Sequence, residues 1–257
     1  MVLEELLPLL IIVCPLAFLG ALVDSVAGGG GIISLSAYLI AGLPGPMALG
    51  TNKCGSTFGM VLAAGRFIKK KEFHPRSAIV AAVTALVGAA LGSQLAQRMS
   101  DRFVYYLILA LIPVLAWIIL FKPDMGAEDR SGRYSPGTLT AISAGIGLVL
   151  GGYDGFFGPG SGTFLMLAFA TLGGFDLLTA SGNTKIVNGV SCVTALISYA
   201  MAGQVNWWIG IPAAICGVAG HYVGSGLALK NGAKVIRPMF LLVLALLVIK
   251  LLWDLLA

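Results

Sequence analysis

Two long apolar blocks of this chain, residues 5–43 and 136–175, are each interrupted by an aspartate followed by several glycines. A continuous helix of about 39 residues would be about 58 Å long, almost twice the hydrocarbon core of a bilayer. Consecutive glycines are also poor helix formers. We therefore predict that each block folds back as two short helices that meet at a glycine tip. The hairpin is either re-entrant or a pair of short full spans.

The remaining apolar residues fall in blocks of about 20, the length that crosses a bilayer as a helix. Hydrophobic residues make up 58% of the 257 residues and charged residues only 11%. An average soluble protein has about 25% charged residues. The net charge of +5 is concentrated in short loops next to apolar spans, as membrane-orientation signals are. The sequence therefore predicts an all-α, multi-pass integral membrane protein that does not bind nucleic acid.

Three short motifs occur twice in the same order, and the offset between the copies drifts only from 130 to 132 residues. The equivalent positions are Asp24 and Asp154, Lys53 and Lys185, and Gly88 and Gly220. Three matches at one spacing indicate a duplicated half. We predict a first repeat over 1–121, a polar cytoplasmic linker over 122–135 and a second repeat over 136–257.

Each predicted repeat consists of one hairpin with a Gly-rich tip, followed by three transmembrane helices. In the first repeat, hairpin 5–43 precedes spans 47–67, 77–97 and 103–121; in the second, hairpin 136–175 precedes spans 179–201, 207–229 and 235–256. The glycine pairs Gly88/Gly92, Gly147/Gly151 and Gly220/Gly224 are predicted to be close helix contacts.

The distribution of Lys and Arg predicts the orientation of the spans. Loop 66–76 contains five Lys or Arg residues, whereas its counterpart 202–206 contains none. One path places loops 66–76, 122–135 and 230–237 inside, and loops 98–102 and 202–206 outside. Equivalent loops then face opposite sides, so the repeats are inverted and both termini lie on the outer side. Inverted repeats with broken helices that meet near the midplane are typical of secondary transporters.

The two glycine tips are candidate anion-binding sites. Their backbone N–H groups are not shielded by side chains, and each tip leads into a helix N-terminus. The glycines concerned are Gly28, Gly29, Gly30 and Gly31 in the first tip and Gly158, Gly160 and Gly162 in the second. Ser34, Ser161 and Thr163 add hydroxyl donors. The alternative is that glycine only allows two helices to approach closely.

Four charged residues lie well inside apolar blocks, at equivalent positions of the two repeats: Asp24, Lys53, Asp154 and Lys185. Each costs about 2.5–3.5 kcal/mol to bury in a membrane, so unpaired charges rarely persist there. We assign both lysines to the substrate site, together with the neighbouring Asn52, Asn183 and Thr184. The alternative is that the lysines extend to the headgroups.

The two aspartates have three candidate roles. Each can pair with the lysine of its own or of the other repeat, cap the N–H groups of a half-helix, or carry a coupling proton. His221 lies within a span, and we interpret it as a helix-packing residue rather than a proton relay. Ser56 and Asn188, one turn beyond the lysines, are further candidates for the same cavity.

Motifs typical of enzymes are absent from the sequence, including HExxH, GxSxG and the P-loop. We therefore predict no enzymatic activity, no catalytic residues, no metal site and no cofactor. A transporter without a nucleotide site is driven by a gradient or acts as a facilitator. Coupling to a proton or another ion and homo-oligomerisation stay open. An intramembrane enzyme that uses the Asp/Lys pairs ranks lower, because no nucleophile–base pair is visible.

These motifs resemble those of the sulfite exporter TauE/SafE family, especially its YfcA-like branch. The resemblance rests on the run Asp24–Gly31, on Thr51-Asn52-Lys53 and on Tyr153–Gly162. It extends over essentially the whole chain, including Arg66–Lys71, Glu128–Arg130 and Ile236–Met239. In the second repeat, Asn183-Thr184-Lys185 stands where YfcA-like chains tend to have His-Ala-Lys, so no histidine role is transferred.

The resemblance implies a secondary transporter, and specifically an exporter, in the bacterial inner membrane. Its substrate would be a small anion: sulfite, a sulfonate or another sulfur-containing organic anion. The anion would move by alternating access around a midplane site, with the lipid bilayer as the surrounding partner. The alternative function is an uncoupled anion channel or facilitator.

Overall fold

The computed structural model describes residues 3–98, 126, 128–239 and 242. In this part of the chain all regular structure is helical, which confirms the predicted all-α class. The helices are α1 (Leu3–Ala27), α2 (Gly31–Ile40), α3 (Gly45–Lys70), α4 (Pro75–Ala96), a 3₁₀ turn (Ser131–Arg133), α5 (Pro136–Phe156), α6 (Ser161–Thr171), α7 (Leu177–Met201) and α8 (Trp207–Asn231). The predicted span 103–121, most of 235–256 and part of the linker lie outside the described residues.

Both apolar blocks are broken at their glycines, but their arms are unequal. Helices α1 and α5 have 25 and 21 residues, whereas α2 and α6 have only 10 and 11. The prediction of two short helices is therefore wrong for the first arm of each hairpin, which is long enough to cross a bilayer. The reason is that the glycines come late in each block. The second arms, about 15 Å long, reach only half-way across.

Four helices begin directly after a residue whose side chain accepts a hydrogen bond from the first helical turn. These N-cap residues are His74 for α4, Ser135 for α5, Asp176 for α7 and Asn206 for α8. Such caps satisfy backbone N–H groups that have no partner within the helix. The loops that lead into α4 and α8 are short, and the backbone N–H groups of their N-cap residues donate to side chains near the two buried lysines.

The distribution of side chains is that of a protein surrounded by lipid. In the described part of the chain, α1, α4, α5 and α8 are long and apolar enough to cross a membrane. Large apolar side chains such as Val83 and Ile215 are more than 60% exposed, whereas Lys53, Asp154 and Lys185 are at most 3% exposed. Apolar side chains outside and charged side chains inside are expected only where the surroundings are hydrocarbon. The chain is a multi-pass helical membrane protein.

The helices of the two halves pack on each other reciprocally. Helix α1 lies along α8 and α5 lies along α4, while α3 contacts α8 and α7 contacts α4; α3 and α7 also contact each other. The close crossings use glycine, as predicted: a Cβ on Gly88 would collide with the carbonyl oxygen of Leu148, and one on Gly220 with that of Phe18. The division into two inverted repeats stays a prediction, which this reciprocal packing favours.

Candidate functional site

The two glycine tips meet in the interior of the protein. Gly28, Gly158 and Gly160 have positive φ angles of 83°, 94° and 82°, which only glycine adopts without strain. The backbone N–H of Thr163 donates to the carbonyl oxygen of Gly28 at 3.1 Å. A Cβ on Gly28 would collide with the backbone of Gly162. The tips are therefore in direct backbone contact.

Lys53 of α3 forms a buried ion pair with Asp154 of α5. The Nζ–Oδ1 distance is 2.9 Å, and the two side chains are 4% and 2% exposed. The hydroxyls of Ser161 and Ser191 each donate to the same carboxylate at 2.5 Å. Of the pairings left open by the sequence, this is the one that joins the lysine of the first half to the aspartate of the second. The carboxylate is fully engaged, so the pair is held in one geometry.

Lys185 of α7 has a different partner. Its Nζ donates to the backbone carbonyl oxygen of Asp24 at 2.6 Å, and Lys185 is 1% exposed. Within the described residues, no Lys, Arg or His lies within ion-pair distance of the Asp24 carboxylate. The equivalent lysine and aspartate are therefore neighbours, but their side chains do not form the same ion pair.

A small cavity of about 30 Å³ lies beside the Lys53–Asp154 pair. This volume holds about two water molecules. More than half of the residues that the sequence assigned to the site line this cavity: Asp24, Gly30, Gly31, Ser34, Asn52, Lys53, Asp154, Gly158 and Ser161. The others do not line it: Gly28, Gly29, Gly160, Gly162, Thr163, Asn183, Thr184 and Lys185. Ser56 and Asn188, the further candidates, also line the cavity.

Asn183 instead contacts a loop at the end of its helix. Its Oδ1 accepts the backbone N–H of His74 at 2.9 Å, and Thr51 Oγ1 accepts the backbone N–H of Asn206 at the same distance. Thr51 and Asn183 occupy equivalent sequence positions, and His74 and Asn206 are N-cap residues. Each therefore fixes the start of a helix of the other half. Thr184, buried beside Asn183, has no hydrogen-bond partner for its hydroxyl among the described residues.

Ser34 and Asn52 join the second helix of the hairpin to α3. The Ser34 hydroxyl donates to Asn52 Oδ1 at 2.7 Å. Thr163 of the second tip contacts the first tip, because its hydroxyl donates to the carbonyl oxygen of Ala27 at 3.1 Å. The polar side chains near the tips thus connect helices as well as line the cavity.

The model of one protein family matches nearly the whole chain. The model of the family described as "Sulfite exporter TauE/SafE" matches residues 13–251. The chain belongs to this family.

Similar proteins carry names of the same kind. A "Probable membrane transporter protein ORF9" of Sinorhizobium sp is 36% identical over 93% of this chain and 90% of its own length. A "Probable membrane transporter protein YfcA" of Escherichia coli strain K12 is 34% identical over 93% and 87%. A "Probable membrane transporter protein" of Haemophilus influenzae is 32% identical over 96% and 95%. No solved structure matches the chain.

This TauE/SafE-family chain is therefore a membrane transporter, with a small molecule as its substrate. Within the described residues, no group of three or more His, Cys, Asp and Glu side chains is arranged to hold a metal ion. The polar residues around the Asp154 carboxylate extend beyond those that the sequence assigned, because Ser191 and Cys192 also contact it. Ser191 and Cys192 follow Lys185 and Asn188 at helical spacing on α7, and this periodicity is a signal that could have identified them.

Proposed function

We propose that this TauE/SafE-family transporter exports a small sulfur oxyanion, sulfite or a sulfonate, across the bacterial inner membrane by alternating access. The observation that carries the proposal is the buried Lys53 on a cavity bounded by the two glycine tips. The description of the family names sulfite export, and the names of the relatives give only membrane transport.

The groups around the cavity suit an anion. Lys53 supplies a positive charge, and the cavity is lined by Gly30 and Gly31 at the N-terminus of α2. Backbone N–H groups at a helix N-terminus attract anions, and a glycine leaves them accessible. Ser161 and Asn52 add neutral polar groups. An anion that binds Lys53 would take the place that the Asp154 carboxylate now occupies.

The charge balance of the site favours coupling to a proton. Lys53 and Asp154 together are neutral, so an anion entering alone would leave a net negative charge in the membrane interior. Such a charge is expensive to bury. A proton that enters with the anion and neutralises Asp154 removes this cost and frees Lys53. Asp24, on the same cavity, is the second acidic group available for this role.

We propose that the assigned residues that do not line this cavity contact the substrate in the conformation that opens to the opposite side of the membrane. In inverted-repeat transporters the two repeats exchange conformations around one site. Lys185, Thr184 and Asn183 would then contribute when the second tip opens. The small volume of the cavity and the contact between the tips support a closed site rather than the open pore of an uncoupled channel. Both termini would lie on the outer side.

The test is sulfite flux into proteoliposomes that contain the purified protein. Lys53→Met should reduce flux to background. The matched control is Lys69→Met, the same substitution at an exposed position of the same helix, which should keep wild-type flux.

Because Lys53→Met alone leaves Asp154 without its counter-charge, Lys53→Met is also combined with Asp154→Asn to keep the cavity neutral. Wild-type sulfite flux in this double variant would contradict the assignment of Lys53. Flux that is independent of any gradient, at rates beyond those of alternating access, would favour the channel alternative.

A further inference from the structure

Two polar side chains of the cavity are not explained by the contacts described so far. Tyr38 of α2 and His221 of α8 both line it, and both are 0% exposed. The Tyr38 hydroxyl and both ring nitrogens of His221 have no hydrogen-bond partner among the described residues. More than about 90% of buried polar groups in proteins are hydrogen-bonded, so three unpaired atoms on one cavity indicate that the cavity binds something polar.

Two glycines of α3 make room for these side chains. A Cβ on Gly55 would collide with the Tyr38 hydroxyl, and a Cβ on Gly59 would collide with the His221 ring. Gly55 and Gly59 are one turn apart on the helix that also holds Lys53. The two side chains therefore lie against one face of α3, which is a different face from that of Lys53, and both Gly55 and Lys53 border the cavity.

The arrangement occurs where α3 packs on α8 and is not repeated where α7 packs on α4. There, Val187 and Ser191 of α7 stand at the positions equivalent to the two glycines, and Ala89 of α4 stands at the position equivalent to His221. A packing contact needed in both halves would be expected in both copies. The histidine and the glycine that accommodates it occur together only beside the cavity. This favours a role in what the cavity binds over a role in general helix packing.

We infer that Tyr38 and His221 bind oxygen atoms of the transported anion that Lys53 does not contact. The inference rests on the proposed function and adds two residues to its binding site. The Tyr38 hydroxyl donates one hydrogen bond, and a neutral imidazole donates one more. The cavity then recognises a compact oxyanion by positive charge at one end and by two neutral donors at the other.

This arrangement also gives selectivity against halides. A chloride ion can neutralise Lys53, but it has no separate oxygen atoms to accept from the two donors. A site built to hydrogen-bond a ligand discriminates against one that leaves its buried polar groups unpaired. Sulfite and sulfonates are therefore preferred over chloride, the commonest small anion that would compete.

The experiment measures thermal stabilisation of the purified full chain in detergent, titrated with sulfite, taurine or chloride. A ligand that binds the folded protein raises its melting temperature by mass action. Tyr38→Phe and His221→Leu should each weaken sulfite binding about tenfold, the loss expected for a hydrogen bond to a charged group. Chloride binding should stay unchanged. His221→Gln, which keeps an N–H donor, should recover part of the sulfite affinity.

Tyr199→Phe is the matched control, because Tyr199 is 1% exposed and its hydroxyl donates to the carbonyl oxygen of Phe156 rather than lining the cavity. This variant should bind sulfite like wild type. Unchanged sulfite affinity in both Tyr38→Phe and His221→Leu would overturn this inference and leave the proposed function intact. If neither sulfite nor taurine stabilises the wild-type protein, the proposed function fails and this inference fails with it.

Discussion

Lys53 and Lys185 occupy equivalent positions in the two halves of the chain, yet their ammonium groups have different partners. Lys53 binds a carboxylate, and Lys185 binds a peptide carbonyl. The first interaction cancels a full charge, whereas the second offers only a dipole. A duplicated motif therefore does not give a duplicated site. One lysine is held in an ion pair beside a cavity, and the other is a buried lysine that donates to a peptide carbonyl oxygen.

The difference follows from the residues around the two aspartates. Asp154 accepts hydrogen bonds from Ser161 and Ser191. The equivalent positions near Asp24 are Gly31 and Gly59, which have no hydroxyl groups. The second half thus provides donors that hold its carboxylate in place. In the first half, Gly31 lines the cavity and the room beside Gly59 is taken by the His221 ring.

The largest predicted effect is the difference in stability loss between substitutions of the two aspartates. Asp154→Asn leaves Lys53 as an uncompensated buried charge and should cost about 3–5 kcal/mol of stability. Asp24→Asn removes a carboxylate that has no ion pair among the described residues, so its cost should be below about 1 kcal/mol. The free energy of unfolding, measured by denaturant titration in mixed micelles, compares the two.

The double variant Lys53→Met with Asp154→Asn is the control for the first of these effects. It removes both charges and should regain most of the stability lost in Asp154→Asn alone, because no isolated charge then remains. Equal losses of stability for Asp154→Asn and Asp24→Asn would mean that the two aspartates have equivalent partners in solution.

The next, smaller effect on stability concerns the two equivalent hydrogen bonds that Thr51 and Asn183 accept at the starts of helices. Thr51→Ala and Asn183→Ala each remove the acceptor of one partly buried backbone N–H, that of Asn206 and of His74 respectively. Each substitution should cost about 1–2 kcal/mol, and the two costs should be similar. The sulfite concentration at half-maximal flux should rise for Asn183→Ala, because the proposed cycle places Asn183 at the substrate site in the opposite state, and should stay unchanged for Thr51→Ala. An unchanged value in both variants would limit Asn183 to its contact with the start of α4 and remove it from the proposed site.

The sequence predicts the helical class, the glycine breaks and the inward placement of the buried Lys53, Asp154 and Lys185 and the half-buried Asp24, because each depends on local composition. It does not predict which lysine pairs with which aspartate. That choice depends on Ser161 and Ser191, which come from two other helices and meet only in the folded protein. Likewise, Tyr38 and His221 look like ordinary core residues until the glycines of α3 bring them to the cavity. The unequal arms of the hairpins differ from the prediction because arm length depends on where the glycines lie within each block, and they lie late in both.

The smallest predicted effect on stability is that of Lys185→Met. The carbonyl oxygen of Asp24 also accepts the backbone N–H of Gly28 at 2.8 Å, so it keeps a partner when the lysine is lost. Methionine has a similar length and removes the cost of burying an amino group that forms no ion pair within 4 Å among the described residues. The free energy of unfolding should therefore change by less than about 1 kcal/mol.

Transport should respond to the same substitution quite differently. If the repeats exchange conformations during the cycle, Lys185 takes the role of Lys53 in the opposite state, and Asp24 becomes its partner. Lys185→Met should then reduce sulfite flux at least tenfold, although the protein is as stable as wild type. A tenfold reduction in flux corresponds to an increase of about 1.4 kcal/mol in the transport barrier. A large loss of stability with normal flux per folded molecule would assign Lys185 to the structure alone. Normal stability with normal flux would mean that Lys185 does not bind the substrate in any state of the cycle. The difference between the two lysines would then be a fixed property of the protein.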